Sequence, residues 1–183
     1  MKARRTHANI VSYFFLVVAM AVISSDMRAA DRLVLVKDSQ PKVPIVIFAD
    51  APPLTRMAAD ELAIYIEKMS GAKLDVIKGE PDPLPEHAIW VGYQPVLDKL
   101  FPDQDFDFKH PEEILLAAND SHLVIAGRDV WDPDHLTVDF GRVTIHGVQQ
   151  EYGTHNAVYT FMQDYLGIRW LWPGDLGEDV PKQ

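Results

Sequence analysis

The stretch from Asn156 to Trp172 constrains the fold more than any other, because a helical stripe ends on a glycine and an aromatic run follows at once. Ala157, Val158, Phe161, Met162 and Tyr165 recur at the spacing of one helical face. Gly167 supplies the left-handed residue that satisfies the last carbonyls of such a helix. Ile168, Trp170, Leu171 and Trp172 then form a short run with strand propensity, and Pro173-Gly174 turns the chain. Only Asp175 to Gln183 remain, read here as too few to cover a strand edge or pack another element. A domain that finishes this way is expected to hand over to another one.

Upstream, Leu33–Val36 and Val43–Phe48 are apolar runs separated by a turn-rich connector and read as two strands. Pro52-Pro53 halts the second, and Thr55 is placed to cap a helix whose inward face is Leu54, Ala58, Leu62, Tyr65, Ile66 and Met69. Gly71 ends that helix, Lys73–Ile77 forms a third strand, and a proline-rich loop leads to a fourth, Ala88–Gly92, apolar enough to be buried on both faces. A short helix and an acidic loop follow. Ile114–Ala118 and His122–Ala126 flank Asn119-Asp120-Ser121 and read as a hairpin. Residues 127–151 are an insertion before the last helix. Strands and helices in this order predict an α/β (α+β) sandwich, a mixed sheet with two amphipathic helices on one face.

The terminal pattern G-T-x-N/Y-A-V-Y-x-F-x-x-x-Y-L-G-x-R-W-x-x-P-G-x-x-G-E-x-x-P resembles the end of the N-terminal domain in a family of large secreted bacterial proteins similar to glycoside hydrolases. That domain is similar to the small α/β domain preceding the catalytic barrel in α-glucuronidases and β-N-acetylhexosaminidases. AADELAIYIEKMSGAKLDVI resembles the family's first helix and following strand, and HLVIAGRD the strand before its last helix. The resemblance covers roughly Leu33 to Lys182, and it implies the same architecture and a junction with a catalytic barrel near Arg169, Trp170 and Trp172. One departure is that Tyr152-Gly153, after a longer insertion, stands where such domains often carry Arg-Gly.

The first 30 residues read as a secretory signal: Lys2, Arg4 and Arg5 precede an apolar run from Ile10 to Ile23 that is shorter than the roughly 20 residues of a spanning helix. Arg28 at the −3 position of a cut after Ala30 leaves an uncleaved anchor as the alternative. A twin-arginine route is disfavoured by Thr6-His7-Ala8 after the arginines. Cleavage leaves 13 basic against 26 acidic residues in 31–183, a net charge of −13. A chain that acidic lacks the clustered cations that hold nucleic acid or an anionic membrane surface. With no cysteine, neither disulfides nor thiol catalysis enter. The expected location is secreted or periplasmic.

No motif supplies a nucleophile, a phosphate loop or paired zinc histidines. Asp103, Asp105 and Asp107 alternate like calcium ligands, but the glycine and glutamate of an EF-hand loop are missing, so no metal and no cofactor is assigned. A glycosidase needs two carboxylates facing across a sugar, and spacing cannot select a pair among so many acids. Within the insertion, Trp131 offers a sugar-stacking ring beside Asp132, Asp134 and His135. Arg169, Trp170 and Trp172 are the second candidate set, as an interface or the rim of a carbohydrate site, against the plainer reading that both tryptophans belong to the domain's own core.

The sequence thus predicts a signal over 1–30 and, over 31–183, a non-catalytic accessory domain, read as a fragment or shortened form ending where a catalytic barrel would normally begin, whose partner is that barrel or carbohydrate. A stand-alone glycan-binding module using exposed tryptophans is the alternative, and an enzyme built on the acidic insertion is a third. Fold analogy alone selects none of them.

Overall fold

In the computed structural model, which describes residues 33–182, the contiguous apolar runs become the middle of a five-stranded sheet. Ile45–Ile47 (β3), Val76–Lys78 (β4), Ala88–Val91 (β5) and His122–Gly127 (β7) are parallel, and Ile114–Ala118 (β6) closes one edge antiparallel to β7, giving the order β4-β3-β5-β7-β6. Parallel strands covered on both faces need apolar residues at every position. β5 shows it: Ile89 and Val91 join one buried cluster while Ala88 and Trp90 join the other.

The amphipathic helices Pro53–Ser70 (α1) and Gly153–Asp164 (α3) pack side by side on one face of this sheet. Leu62, Ile66 and Met69 of α1 and Ala157, Val158, Phe161 and Met162 of α3 bury there against Ile45, Ile47, Ile89, Val91 and Ile125. The opposite face is closed by the short helix Leu97–Leu100 (α2) and the loop after it, through Val96, Leu97, Phe101, Phe106 and Phe108. The expected α+β fold with two helices on one face is therefore what forms.

Punctuation holds where it is local. Gly71 adopts φ 75° and its N–H returns to the Glu67 carbonyl, ending α1. After α3, Gly167 adopts φ 72° and lets the Ile168 N–H reach the Met162 carbonyl at 3.0 Å. In the β6–β7 hairpin the Asn119 side chain accepts from the N–H groups of Ser121 and His122.

Three expectations are corrected, and the insertion gains elements of its own. Leu33–Val36 is not a sheet strand: only Val36–Lys37 (β1) pairs, with Gln40–Pro41 (β2), while Leu33, Leu35 and Val36 pack against the helix-side core. Thr55 does not cap α1, which begins after Pro52 without a side-chain cap of its own, because the Thr55 hydroxyl is committed to Asp129. The insertion is a β arm, with Asp129–Asp132 (β8) pairing Val148–Tyr152 (β11) and, further out, Leu136–Asp139 (β9) pairing Arg142–Ile145 (β10). The last residues do cover a strand edge: Glu178–Asp179 (β13) pairs with Arg169–Trp170 (β12), across a 3-10 turn at 175–177.

Among the described residues no helix is long and apolar enough to cross a membrane. The signal read in residues 1–30 lies outside the described residues.

Candidate functional site

The arm leaves the sheet where the parallel strands end, and its base ties the two helices together. Asp129 accepts the Thr55 hydroxyl of α1 at 2.9 Å and the Thr154 N–H of α3 at 3.0 Å. Gln149 accepts the Leu54 N–H at 2.9 Å, so the arm satisfies a donor that the proline-led start of α1 leaves open. Beneath this clip two glycine backbones touch. A Cβ on Gly153 would lie 2.5 Å from the Arg128 amide nitrogen, and one on Gly127 would lie 2.3 Å from the Gly153 carbonyl carbon. Only glycine permits that approach, which lets the Gly153 N–H donate to the Arg128 carbonyl at 2.7 Å. Burial pushes the Asp129 carboxyl up, and the Thr154 N–H together with the Thr55 and Thr154 hydroxyls pulls it partly back.

A cleft of about 380 Å³ opens at these strand ends, lined by Phe48, Tyr93, Phe106, Phe108 and Arg128 with the carboxylates Asp107 and Asp129. The outer ends of parallel strands are where open α/β sheets bind ligands. Here the polar groups are already engaged. Asp107 pairs with Lys109, and Asp129 holds the helix clip. Arg128 pairs with Glu151 at 2.8 Å and donates to the Lys109 carbonyl. The cleft is thus an aromatic recess whose Asp107–Lys109 pair lies in solvent while its Arg128–Glu151 pair is partly buried. Its lining comes from four separate segments of the chain, so the aromatic residues in 93–108 are the only local signal of it in the sequence.

The candidate residues of the insertion are brought close together but serve the arm. Trp131 lies against Gly147, where a Cβ would come within 2.0 Å of the indole, and it sits in register with Gln149. The Asp132 carboxylate accepts the Asp134 N–H at 3.1 Å and contacts His135 Nδ1 at 3.3 Å, making a local turn. Asp134 is exposed and Trp131 half-buried. Among the described residues no group of three or more histidine, aspartate or glutamate side chains is arranged to hold a metal ion.

The terminal candidates separate. Trp170 faces inward: its indole N–H donates to the Tyr65 hydroxyl at 2.6 Å, and its ring lies 5.3 Å from both Tyr65, edge-on, and Tyr159. Tyr65 in turn donates to Glu178, which Lys68 pairs at 2.5 Å. The Lys68 ammonium, and after it the Tyr65 hydroxyl, hold the Glu178 carboxyl below its usual range, while burial raises Tyr65. Tyr159 donates to Glu61, and burial, followed by that carboxylate, pushes its hydroxyl far above the usual range. This network anchors β12 and β13 on α1. Arg169 is exposed and 3.9 Å from Asp179. Beyond the anchor, the loop from Leu171 to Gly177 closes through the Leu171 N–H and the Gly177 carbonyl at 2.8 Å. It presents Leu171 at 71 % and Trp172 at 74 % exposure, with Leu176 fully exposed.

Comparison with known proteins gives no match to a family model and none among curated proteins.

Proposed function

We propose that this chain is a non-catalytic accessory domain of a secreted carbohydrate-active protein, which docks on a partner, a catalytic barrel, through the loop Leu171–Gly177. The observation that carries the reading is the contrast between the two neighbouring tryptophans. Trp170 is locked by hydrogen bond and ring contacts, while Trp172 and two leucines are held outward on a closed loop. Large apolar side chains gathered in the open on one short loop have the composition of a partner site. The link to carbohydrate rests on the sequence resemblance. The commitment of both Asp129 oxygens to the two helix starts supports the non-catalytic part.

A glycan is the alternative occupant. Trp170, Leu171, Trp172, Pro173 and Glu178 border a shallow depression of about 350 Å³, and an exposed indole there offers a stacking surface. Titration with neutral and acidic oligosaccharides, read by tryptophan emission, separates the readings. Docking on protein leaves the emission unchanged, whereas a saturable shift abolished by Trp172→Ser establishes the glycan module. The purified chain is expected to release no product from aryl glucuronides or aryl N-acetylhexosaminides. Turnover that disappears on replacing one carboxylate overturns the accessory reading.

A further inference from the structure

The outer ribbon of the arm, β9 and β10, has a bare apolar face. Its cross-strand pairs are Leu136 with Ile145 and Val138 with Val143. Because side chains alternate along a strand, these four share one face, and Thr137, Arg142 and Thr144 take the other. The four aliphatic side chains are 61–70 % exposed, although a two-stranded ribbon with nothing on its apolar face is only marginally stable in water.

The turn between the strands sharpens the point. Phe140 and Gly141 adopt φ 45° and 77°, the two left-handed residues of a type I′ hairpin turn. Asparagine or glycine suits the first of these positions, and a phenylalanine there costs on the order of 1 kcal/mol. The ring is 99 % exposed, so no contact within the domain repays that cost.

The chemistry of the face narrows its occupant. A bilayer is a poor one, since each ribbon strand is paired on one side only and its outward backbone groups would enter hydrocarbon unsatisfied. A glycan needs hydrogen-bonding groups beside a stacking ring, which four aliphatic side chains do not supply, and an acidic chain repels nucleic acid. Taking roughly 100 Å² for the exposed area of each aliphatic residue and roughly 200 Å² for Phe140, two such faces laid together bury at most about 1,200 Å² in total, the lower end of the range for a specific interface. The face is itself uncharged, so like-charged chains can meet on it.

We propose that the β9–β10 ribbon is a self-association surface, on which two copies of this chain pack their Leu136, Val138, Val143 and Ile145 faces together across a twofold axis, with Phe140 at each end. This lies beyond the docking loop, which follows the other end of α3. The contact is apolar while each chain carries a net charge of −10, or −13 without the first 30 residues. Screening therefore tightens the dimer instead of weakening it.

Sedimentation equilibrium of the purified chain tests this. A monomer–dimer equilibrium in the micromolar range is expected, with affinity rising severalfold as salt goes from about 0.05 M to about 0.5 M. Val138→Thr/Val143→Thr keeps the shape and strand propensity of the ribbon and is expected to weaken the dimer at least tenfold. Phe140→Asn creates the favoured Asn-Gly turn, so it firms the ribbon while removing the ring, and it too is expected to weaken the dimer several-fold. A chain that stays monomeric throughout overturns the proposal. So does a dimer indifferent to both variants, or one that persists in them and dissolves in Trp172→Ser.

Discussion

Asp129 and Thr55 stand 74 positions apart in sequence and 2.9 Å apart in space, and their hydrogen bond closes the end of the molecule from which the arm departs. The other oxygen of the same carboxylate serves the first turn of α3 at Thr154. One side chain thus fixes both helix starts.

Asp129→Ala is therefore expected to destabilise the fold by about 2–3 kcal/mol, combining a lost helix-start acceptor with an unsatisfied buried hydroxyl. Asp129→Asn, which keeps an acceptor, is expected to cost less. The pH dependence has a definite sign. Burial raises this carboxyl, so its contribution is fully present below the unfolded carboxylate range and is lost as pH rises through the raised value. Urea midpoints of both variants between pH 3 and pH 7 check this, and Asp129→Asn is expected to remove that contribution.

His122 gives the opposite slope. Its Nδ1 accepts the buried Trp90 indole N–H at 3.3 Å, which requires the neutral ring, and burial followed by the neighbouring His87 lowers its pKa. The folded state then binds a proton less readily than the unfolded chain. Stability present above about pH 6.5 is expected to decline as pH falls toward the lowered value. His122→Leu is expected to flatten that decline and to cost about 1–3 kcal/mol at neutral pH by orphaning the Trp90 donor. Thermal midpoints of both proteins from pH 5 to pH 8 decide it.

What the sequence made legible follows the range of the interactions involved. β3, β5 and β7 are contiguous apolar runs, and Gly71 and Asn119 act within a few residues of themselves, so each could be read locally. A threonine shortly after a proline pair has the look of a cap, while the partner of Thr55 lies in a distant strand. The arm is illegible for a related reason. Leu136/Val138 and Val143/Ile145 do alternate with period two, but Phe140-Gly141 lacks the Asn-Gly signature that announces a hairpin. The strand-end cleft draws on Phe48, Tyr93, Phe106 and Arg128, whose convergence is a property of strand order alone.

The paired tryptophans make a stability contrast. Trp170→Phe loses the hydrogen bond to Tyr65 and part of the packing on Tyr159, and is expected to cost about 1–2 kcal/mol in chemical denaturation. Trp172→Ser touches an exposed ring and is expected to stay within about 0.5 kcal/mol of the parent. Equal losses for the two would place Trp172 in the domain's own core.

Docking through the terminal loop is tested most directly by a photoreactive amino acid at position 172, irradiated in the producing cells, with the cross-linked product identified by mass spectrometry. A product joined to a polypeptide bearing a glycoside-hydrolase-like catalytic barrel is expected, absent when the same group is placed at the exposed helix position Asp60. A probe at 172 that labels nothing, or that labels only proteins without such a barrel, contradicts it.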